Sequence, residues 1–305
     1  MDMYSFNTNR IIKNDMRKLI KKLLLAPLFL LNIIGIIYSY ALGIINKNLK
    51  YSWNEKQLFI NNKRYQNVIH SVSGDYNLSL NFFIPNWICK YRADNFSSKE
   101  PETLKWIDDN GDDGVFFDIG ANVGTYSIYF AKTKPNSVYA FEPSFFNLSL
   151  LARNININMV QDKVNIVTNP LSNNKKFADF NLTNINEGGA LSAFDVNFDQ
   201  DGNPLKKILS YKTLGLPLDL LLSEKIIQEV PKMIKIDVDG IEHLILFGAK
   251  ETLKNPICKT VLIEVNEKFQ EQANETKKIL SECGFSLKDK YHATGQTFNQ
   301  IWFKD

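Results

Sequence analysis

One short stretch restricts the fold of this chain more than any other. Val115-Phe116-Phe117-Asp118, an apolar run ending in an acid, passes directly into Ile119-Gly120-Ala121-Asn122-Val123-Gly124 and then into a helical pattern. A buried strand that turns through glycines into a helix is the repeating unit of a parallel sheet, whose strands need crossover connections of helical length. The glycines fall where the chain must turn sharply and where a ligand approaches the backbone closely. Beyond the turn the same alternation continues, with strands predicted over 115–118, 138–142, 164–167, 233–237 and 261–264 and two closing strands over 285–288 and 300–303. Helices are predicted over 125–132, 146–156, 241–253 and 270–283. The fold class is therefore α/β and Rossmann-like, a mostly parallel seven-stranded sheet with helices on both faces.

A cluster of turn residues, Gly111-Asp112-Asp113-Gly114, marks the start of this domain, which runs over 111–305. Ahead of it, 51–110 reads as a small β-rich lead-in followed by a helix near 101–109. The first 50 residues differ again: Leu23 to Ile45 is almost wholly apolar and follows Arg17, Lys18, Lys21 and Lys22. Its length matches a bilayer span of about 20 residues. A hydrophobic N-terminal helix in membrane contact through 17–50 is thus expected, either spanning or lying in the interface, with a buried amphipathic extension as the competing reading. The run is too long for a secretory signal peptide.

With 36 basic and 33 acidic residues and a net charge of +3, the chain offers no reason to expect a polyanion as partner, and no basic stripe interleaved with aromatics points to nucleic acid. Cys89, Cys258 and Cys283 are widely separated and lack zinc-ligand spacing, which fits a reducing compartment and predicts no metal site.

The chemistry gathers at strand ends, where open α/β sheets bind their ligands. A dinucleotide site wants Gly-x-Gly-x-x-Gly, whereas Gly120 and Gly124 are spaced Gly-x-x-x-Gly behind the acid Asp118. That carboxylate would repel a pyrophosphate but suits a ligand bearing an ammonium group and a sulfonium, and S-adenosylmethionine carries both. Glu142 closes the next strand, where an acid can accept hydrogen bonds from ribose hydroxyls. In Lys235-Ile236-Asp237-Val238-Asp239-Gly240-Ile241-Glu242-His243, Lys235 and Asp237 share one strand face, and charges in a core strand are costly unless paired or functional. Asp239 and Glu242 also fit a capping box at a helix start. Candidate general bases are His243, one turn past the strand end, Asp239, and Glu264 at the end of the following strand.

The ordered set Phe117-Asp118-Ile119-Gly120-Ala121-Asn122-Val123-Gly124, Ala140-Phe141-Glu142-Pro143, Asn154 with Asn156, Ile234 to Glu242 and Leu262-Ile263-Glu264-Val265-Asn266 resembles the FkbM family of methyltransferases. The resemblance extends over roughly 111–305, including a Gly188-Gly189 loop followed by Ser192. It implies a class I methyltransferase fold, S-adenosylmethionine as cofactor, and O-methylation of a hydroxyl on a sugar, glycolipid or polyketide-like acceptor. By position it implies that Asp118, Gly120, Asn122 and Gly124 hold the methionine end of the cofactor, that Glu142 holds its ribose, and that Asp237 faces the transferred methyl. The apolar amino terminus lies outside the family's pattern, and Thr213-Leu214-Gly215-Leu216-Pro217-Leu218-Asp219 blurs an expected Thr-Leu-Asp run. Because the cofactor is cytosolic, a membrane-attached chain would work at the cytoplasmic face. N-methylation of bases would want an Asn/Asp-Pro-Pro-aromatic motif where Asp237-Val238-Asp239-Gly240 stands, and a membrane-tethered binding protein without catalysis is the non-enzymatic alternative.

Overall fold

Two antiparallel strands, β1 (Tyr65–Val72) and β2 (Tyr76–Phe83), open the main unit of the computed structural model and pair only with each other. The structure describes residues 65–72 and 76–304, together with 26–27, 30–31, 33–46, 48–50 and 53. By its contacts the chain divides into one unit up to Lys63 and a second from Arg64 to Asp305.

In the first unit, residues 33–45 are helical. Among the described residues no helix is long and apolar enough to cross a membrane. The expected apolar helix over 23–45 therefore gains no support as a span, and its residues 23–25, 28–29 and 32 lie outside the described residues. The same holds for most of 51–64, the first part of the predicted lead-in.

In the second unit the hairpin leads into three helices, α1 (Trp87–Asp94), α2 (Phe96–Lys99) and α3 (Pro101–Asn110). Asn86 caps α1 by accepting from Cys89 N, and Pro101 starts α3 at the first turn, where its missing N–H costs nothing. Then come β3 (Val115–Ile119), α4 (Thr125–Thr133), β4 (Val138–Phe141), α5 (Phe145–Ile157) and β5 (Val164–Val167). A three-stranded antiparallel sheet follows, β6 (Lys176–Leu182), β7 (Ser192–Phe194) and β8 (Leu209–Gly215), and then α6 (Leu218–Ser223). The chain returns through β9 (Pro231–Ile236), α7 (Glu242–Phe247), α8 (Lys250–Lys254), β10 (Thr260–Asn266), α9 (Gln270–Glu282), β11 (Phe285–Thr294) and β12 (Thr297–Lys304).

The main sheet has seven strands in the order β11-β12-β10-β9-β3-β4-β5. β10, β9, β3, β4 and β5 are parallel, while β12 and β11 run antiparallel at one edge. Strand alternation splits the core in two. Phe117, Ile119, Ile234, Ile236, Val261 and Ile263 face α6 to α9. Phe116, Met233 and Leu262 face the other way, toward α3, α4 and the β1–β2 hairpin. The lead-in is thus packed into the core of the sheet: Leu80, Phe82 and Trp106 share one apolar cluster with Phe116, Ile128 and Tyr129. Each such fully buried side chain contributes about 1.5–3 kcal/mol, so the hairpin and the sheet stabilise one another.

One predicted element differs in the structure, and one element has no counterpart in the prediction. The single helix expected over 241–253 is broken into α7 and α8 at Gly248, where a Cβ would lie 2.2 Å from the Ser172 carbonyl oxygen. The Gly248 carbonyl accepts from Asp219 N, so a side contact replaces the bond that would continue the helix. The small sheet β6–β8 was not anticipated, although Ala178, Phe180 and Leu182 alternate with more polar neighbours as a half-buried strand should.

Candidate functional site

Two clefts meet at the carboxyl ends of β3 and β9, and Gly120, Asn122, Ala190, Asp237 and Asp239 line both. The backbone at this rim is tightly determined. Gly120 has φ +87°, and a Cβ there would lie 1.9 Å from the carbonyl oxygen of Asp237, so only glycine lets the two strand ends come together. The close approach that the glycine serves is therefore first of all that of β9. Asn122 is also left-handed, at φ 52°, and Asp239 at φ 64° begins the turn out of β9.

The first cleft lies on the β4 side, with Phe141, Pro143, Leu171, Phe180, Phe194 and Ile245 in its walls. Beside the shared Asp237 and Asp239 it holds Glu142, just past the end of β4 and 5% exposed. Glu142 Oε2 accepts from Asn122 N at 2.9 Å and Oε1 from Ser144 N at 2.7 Å. Burial nevertheless pushes its carboxyl up to about 7, and these amide bonds only partly oppose the rise. The loop after β6 closes one side: Asn122 Nδ2 and Asn147 Nδ2 both donate to the Gly189 carbonyl, and Gly188 N donates to Asn147 Oδ1.

The second cleft is dominated by charge. Lys235, 1% exposed within a central strand, donates to Asp237 Oδ2 at 2.8 Å and lies 5.0 Å from the Tyr126 ring centroid. Its ammonium pKa is raised, because the neighbouring carboxylates of Asp237, Glu100 and Asp118 outweigh its burial. Lys235 in turn holds the Asp237 carboxyl below the usual carboxylate range. The pairing expected from the shared strand face of Lys235 and Asp237 is present.

Asp239 Oδ2 accepts from Leu191 N at 2.6 Å and Ser192 N at 3.3 Å, while Oδ1 accepts no hydrogen bond among the described residues. Burial raises its carboxyl to about 6, with the Asp237 charge adding to the shift. Glu264, on β10, also lines this cleft, and burial beside Asp237, Glu242 and Asp239 pushes it up to about 9. Across the cleft stand Arg92, Asn95 and Lys99 of the lead-in helices.

Three of the sequence-derived site residues line neither cleft. Asp118 is 1% exposed beneath the rim; its Oδ2 accepts from Ser127 Oγ at 2.6 Å, and Oδ1 is buried with no partner. It is paired in register with Lys235 on the adjacent strand, whose charge partly offsets the rise that burial imposes on its carboxyl, and it does not reach into the cleft. Gly124 turns away to start α4, packed against Leu151. His243 faces α9, its ring edge-on to Phe269 at 6.0 Å, with Nδ1 buried and unpartnered. Burial lowers its pKa, so it is neutral at physiological pH. One turn past a strand end is close in sequence, but α7 presents that position to the core and not to the rim.

The capping box does not form, because α7 starts only at Glu242 with Ile241 as its N-cap. Glu242 reaches back to accept from Val238 N and Gly240 N, whereas Asp239 bonds the loop after β6 and no amide of α7. Lys99, Arg92, Tyr126 and Asn147 were missed. No motif marks the first three, but Asn147 one turn into α5 after Glu142-Pro143 was readable as a polar residue facing the rim.

Among solved structures, the chain is similar to an FkbM methyltransferase from Methylobacillus flagellatus KT, at 18% identity over 62% of this chain and 43% of that one, with a TM-score of 0.43. It thus spans less than half the length of that protein. It is also similar to magnesium protoporphyrin IX methyltransferase from Synechocystis PCC 6803, at 12% identity over 72% of this chain and 85% of that one, TM-score 0.43. A third similarity, to an rRNA methylase from Streptococcus thermophilus, is at 10% identity over 67% and 94% of the two chains, TM-score 0.41. No curated protein matches the chain. The methyltransferase FkbM domain matches residues 118–287, more than half of the sequence and the whole span from β3 into β11. This chain belongs to the FkbM family of methyltransferases.

Proposed function

We propose that the chain binds S-adenosylmethionine across the two clefts and transfers its methyl group to a hydroxyl oxygen of a sugar, glycolipid or related natural product. The observation that carries this reading is the shared rim. A cleft walled by Phe141, Leu171 and Phe180 with Glu142 at one end, and a cleft holding Lys235 and Glu264, meet at Gly120, Asn122, Asp237 and Asp239, which divides the site as an adenosine and an amino acid would need it divided. The residues present fit such a ligand: Asn122 Oδ1 is a buried acceptor with no partner, and Glu142 keeps lone pairs beyond the two amides it holds. When bound, S-adenosylmethionine supplies an electrophilic methyl group on a positively charged sulfur.

In this reading Glu142 accepts from the ribose hydroxyls, and Asn122 Oδ1 and Asp237 bind the ammonium end. Asp118, through Lys235, keeps Asp237 in place. Asp239 Oδ1 takes the proton of the acceptor hydroxyl: with a carboxyl near 6 it is ionised at neutral pH and still basic enough to help. Glu264, protonated at that pH, binds and orients an acceptor oxygen. The polar lining from Asn95, Thr125 and Gln200 suits a hydroxyl-rich acceptor. His243 takes no part.

Calorimetric titration with S-adenosylhomocysteine tests the binding half. Glu142→Ala should weaken affinity by about 10- to 100-fold, the loss of charged hydrogen bonds to the ribose; undiminished affinity would exclude the assignment. Transfer of labelled methyl groups to glycan and glycolipid extracts, read by mass spectrometry, tests the chemistry. Asp239→Asn should lower kcat by about 100- to 10,000-fold with cofactor affinity retained, and full turnover would remove Asp239 as the base.

A further inference from the structure

The guanidinium of Arg92 is only partly used by the protein. Its Nε donates to the Gly188 carbonyl at 3.1 Å, which fixes the side chain's direction, while its two terminal amino groups make no hydrogen bond or ion pair among the described residues. Arginine carries five N–H donors, so four remain directed at whatever lies beside them. Arg92 is partly exposed and lines the charged cleft together with Gly120, Asn122 and Thr125. The other cations there are committed: Lys235 to Asp237 and Lys99 to Glu100. Arg92 lies on α1, outside residues 118–287 that match the family domain.

We infer that Arg92 holds the carboxylate of the cofactor's methionine end. The inference rests on the cofactor reading above and adds a residue to it. Its ground is the charge pattern of the cleft: Asp237, Asp239 and Glu264 come from the sheet side and Arg92 from the helix side. A zwitterion, with ammonium and carboxylate on one carbon, satisfies both sides at once. A purely anionic acceptor group would have to enter beside the carboxylates of Asp237 and Asp239. Planar guanidinium and carboxylate match in a two-bond pairing that a lysine cannot reproduce. The anchor at Gly188 means that the same side chain links the ligand to the loop closing the first cleft, since Gly188 N and the Gly189 carbonyl are held by Asn147 and Asn122.

The test compares two nucleosides on the full chain. S-adenosylhomocysteine carries the carboxylate; 5′-methylthioadenosine has the same adenosine and sulfur without the amino acid. Arg92→Gln should weaken S-adenosylhomocysteine by about ten-fold or more and leave 5′-methylthioadenosine unchanged, which also shows that the variant is folded. Arg92→Lys, keeping the charge but not the fork, should fall between. Equal weakening of both nucleosides would mean that Arg92 acts only through the Gly188 loop, and would overturn the inference. So would unaltered binding of S-adenosylhomocysteine by Arg92→Gln. Wild-type protein binding neither nucleoside would instead overturn the cofactor reading and this inference with it.

Discussion

The two clefts are built on opposite principles. The one beside Glu142 has apolar walls of Phe141, Phe180 and Phe194 around a buried carboxyl whose oxygens are held by two backbone amides. The one beside Asp237 is a meeting of charges, with Lys235 buried among Asp118, Glu100 and Asp237. A slot of the first kind recognises shape and a few hydrogen bonds, and it tolerates change in its walls. A cluster of the second kind depends on balance, because each buried charge is stable only while its partners remain. Alteration of the first cleft should therefore cost ligand, and alteration of the Lys235 cluster in the second should cost the fold.

The sharpest way to break that contrast is Lys235→Met. Removing the cation leaves Asp118, Asp237 and Glu100 facing one another in a buried site, and the variant should lose about 3–5 kcal/mol of stability, measured by urea unfolding. A change below about 1 kcal/mol would mean that the cluster is as well solvated as a surface pair, and the contrast would fail.

A smaller effect concerns pH. Burial raises Asp239 to about 6, Glu142 to about 7 and Glu264 to about 9, so each releases its proton less readily in the folded chain than in the unfolded one. Their contribution favours folding fully below the ordinary carboxylate range and is lost as pH rises through those values. Asp237, whose carboxyl is lowered, acts oppositely and only in more acidic solution. The urea midpoint of the ligand-free protein should fall from about pH 4 to about pH 9, most steeply below about pH 6, and Glu264→Gln should flatten the upper part of that fall. A midpoint that rises across the window would contradict the burial of these acids.

The smallest expected effect is at His243. With its ring against Phe269 and away from both clefts, His243→Leu should leave methyl transfer and S-adenosylhomocysteine affinity unchanged, and removing the unpartnered Nδ1 should not reduce stability. A large loss of turnover in steady-state assays would return His243 to the site.

The contrast also explains what could be read from the sequence. The sheet was legible because its strands are buried on both faces and appear as continuous apolar runs between glycine turns, as Val115 to Ile119 does. Gly120, Asn122, Glu142, Asp237, Asp239 and Glu264 were legible because strand ends in such a sheet converge on one rim. Asp118 was misplaced by one layer, since strand alternation sends it under the rim toward Ser127 while the loop above carries the cleft. His243 failed for the matching reason on a helix. Arg92 and Lys99 were invisible because they enter the site from α1 and α2, short helices with no glycine signal and no sequence link to β3. Side chains brought in by tertiary packing leave no local pattern to read.

In the proposed reading one ligand bridges both clefts over Gly120 and Asn122. A crystal structure of the protein with S-adenosylhomocysteine tests it most directly. The adenosine should lie against Phe141 and Glu142 and the amino acid beside Asp237 and Arg92. A nucleoside bound away from Glu142, or an amino acid end directed away from Asp237, would contradict it.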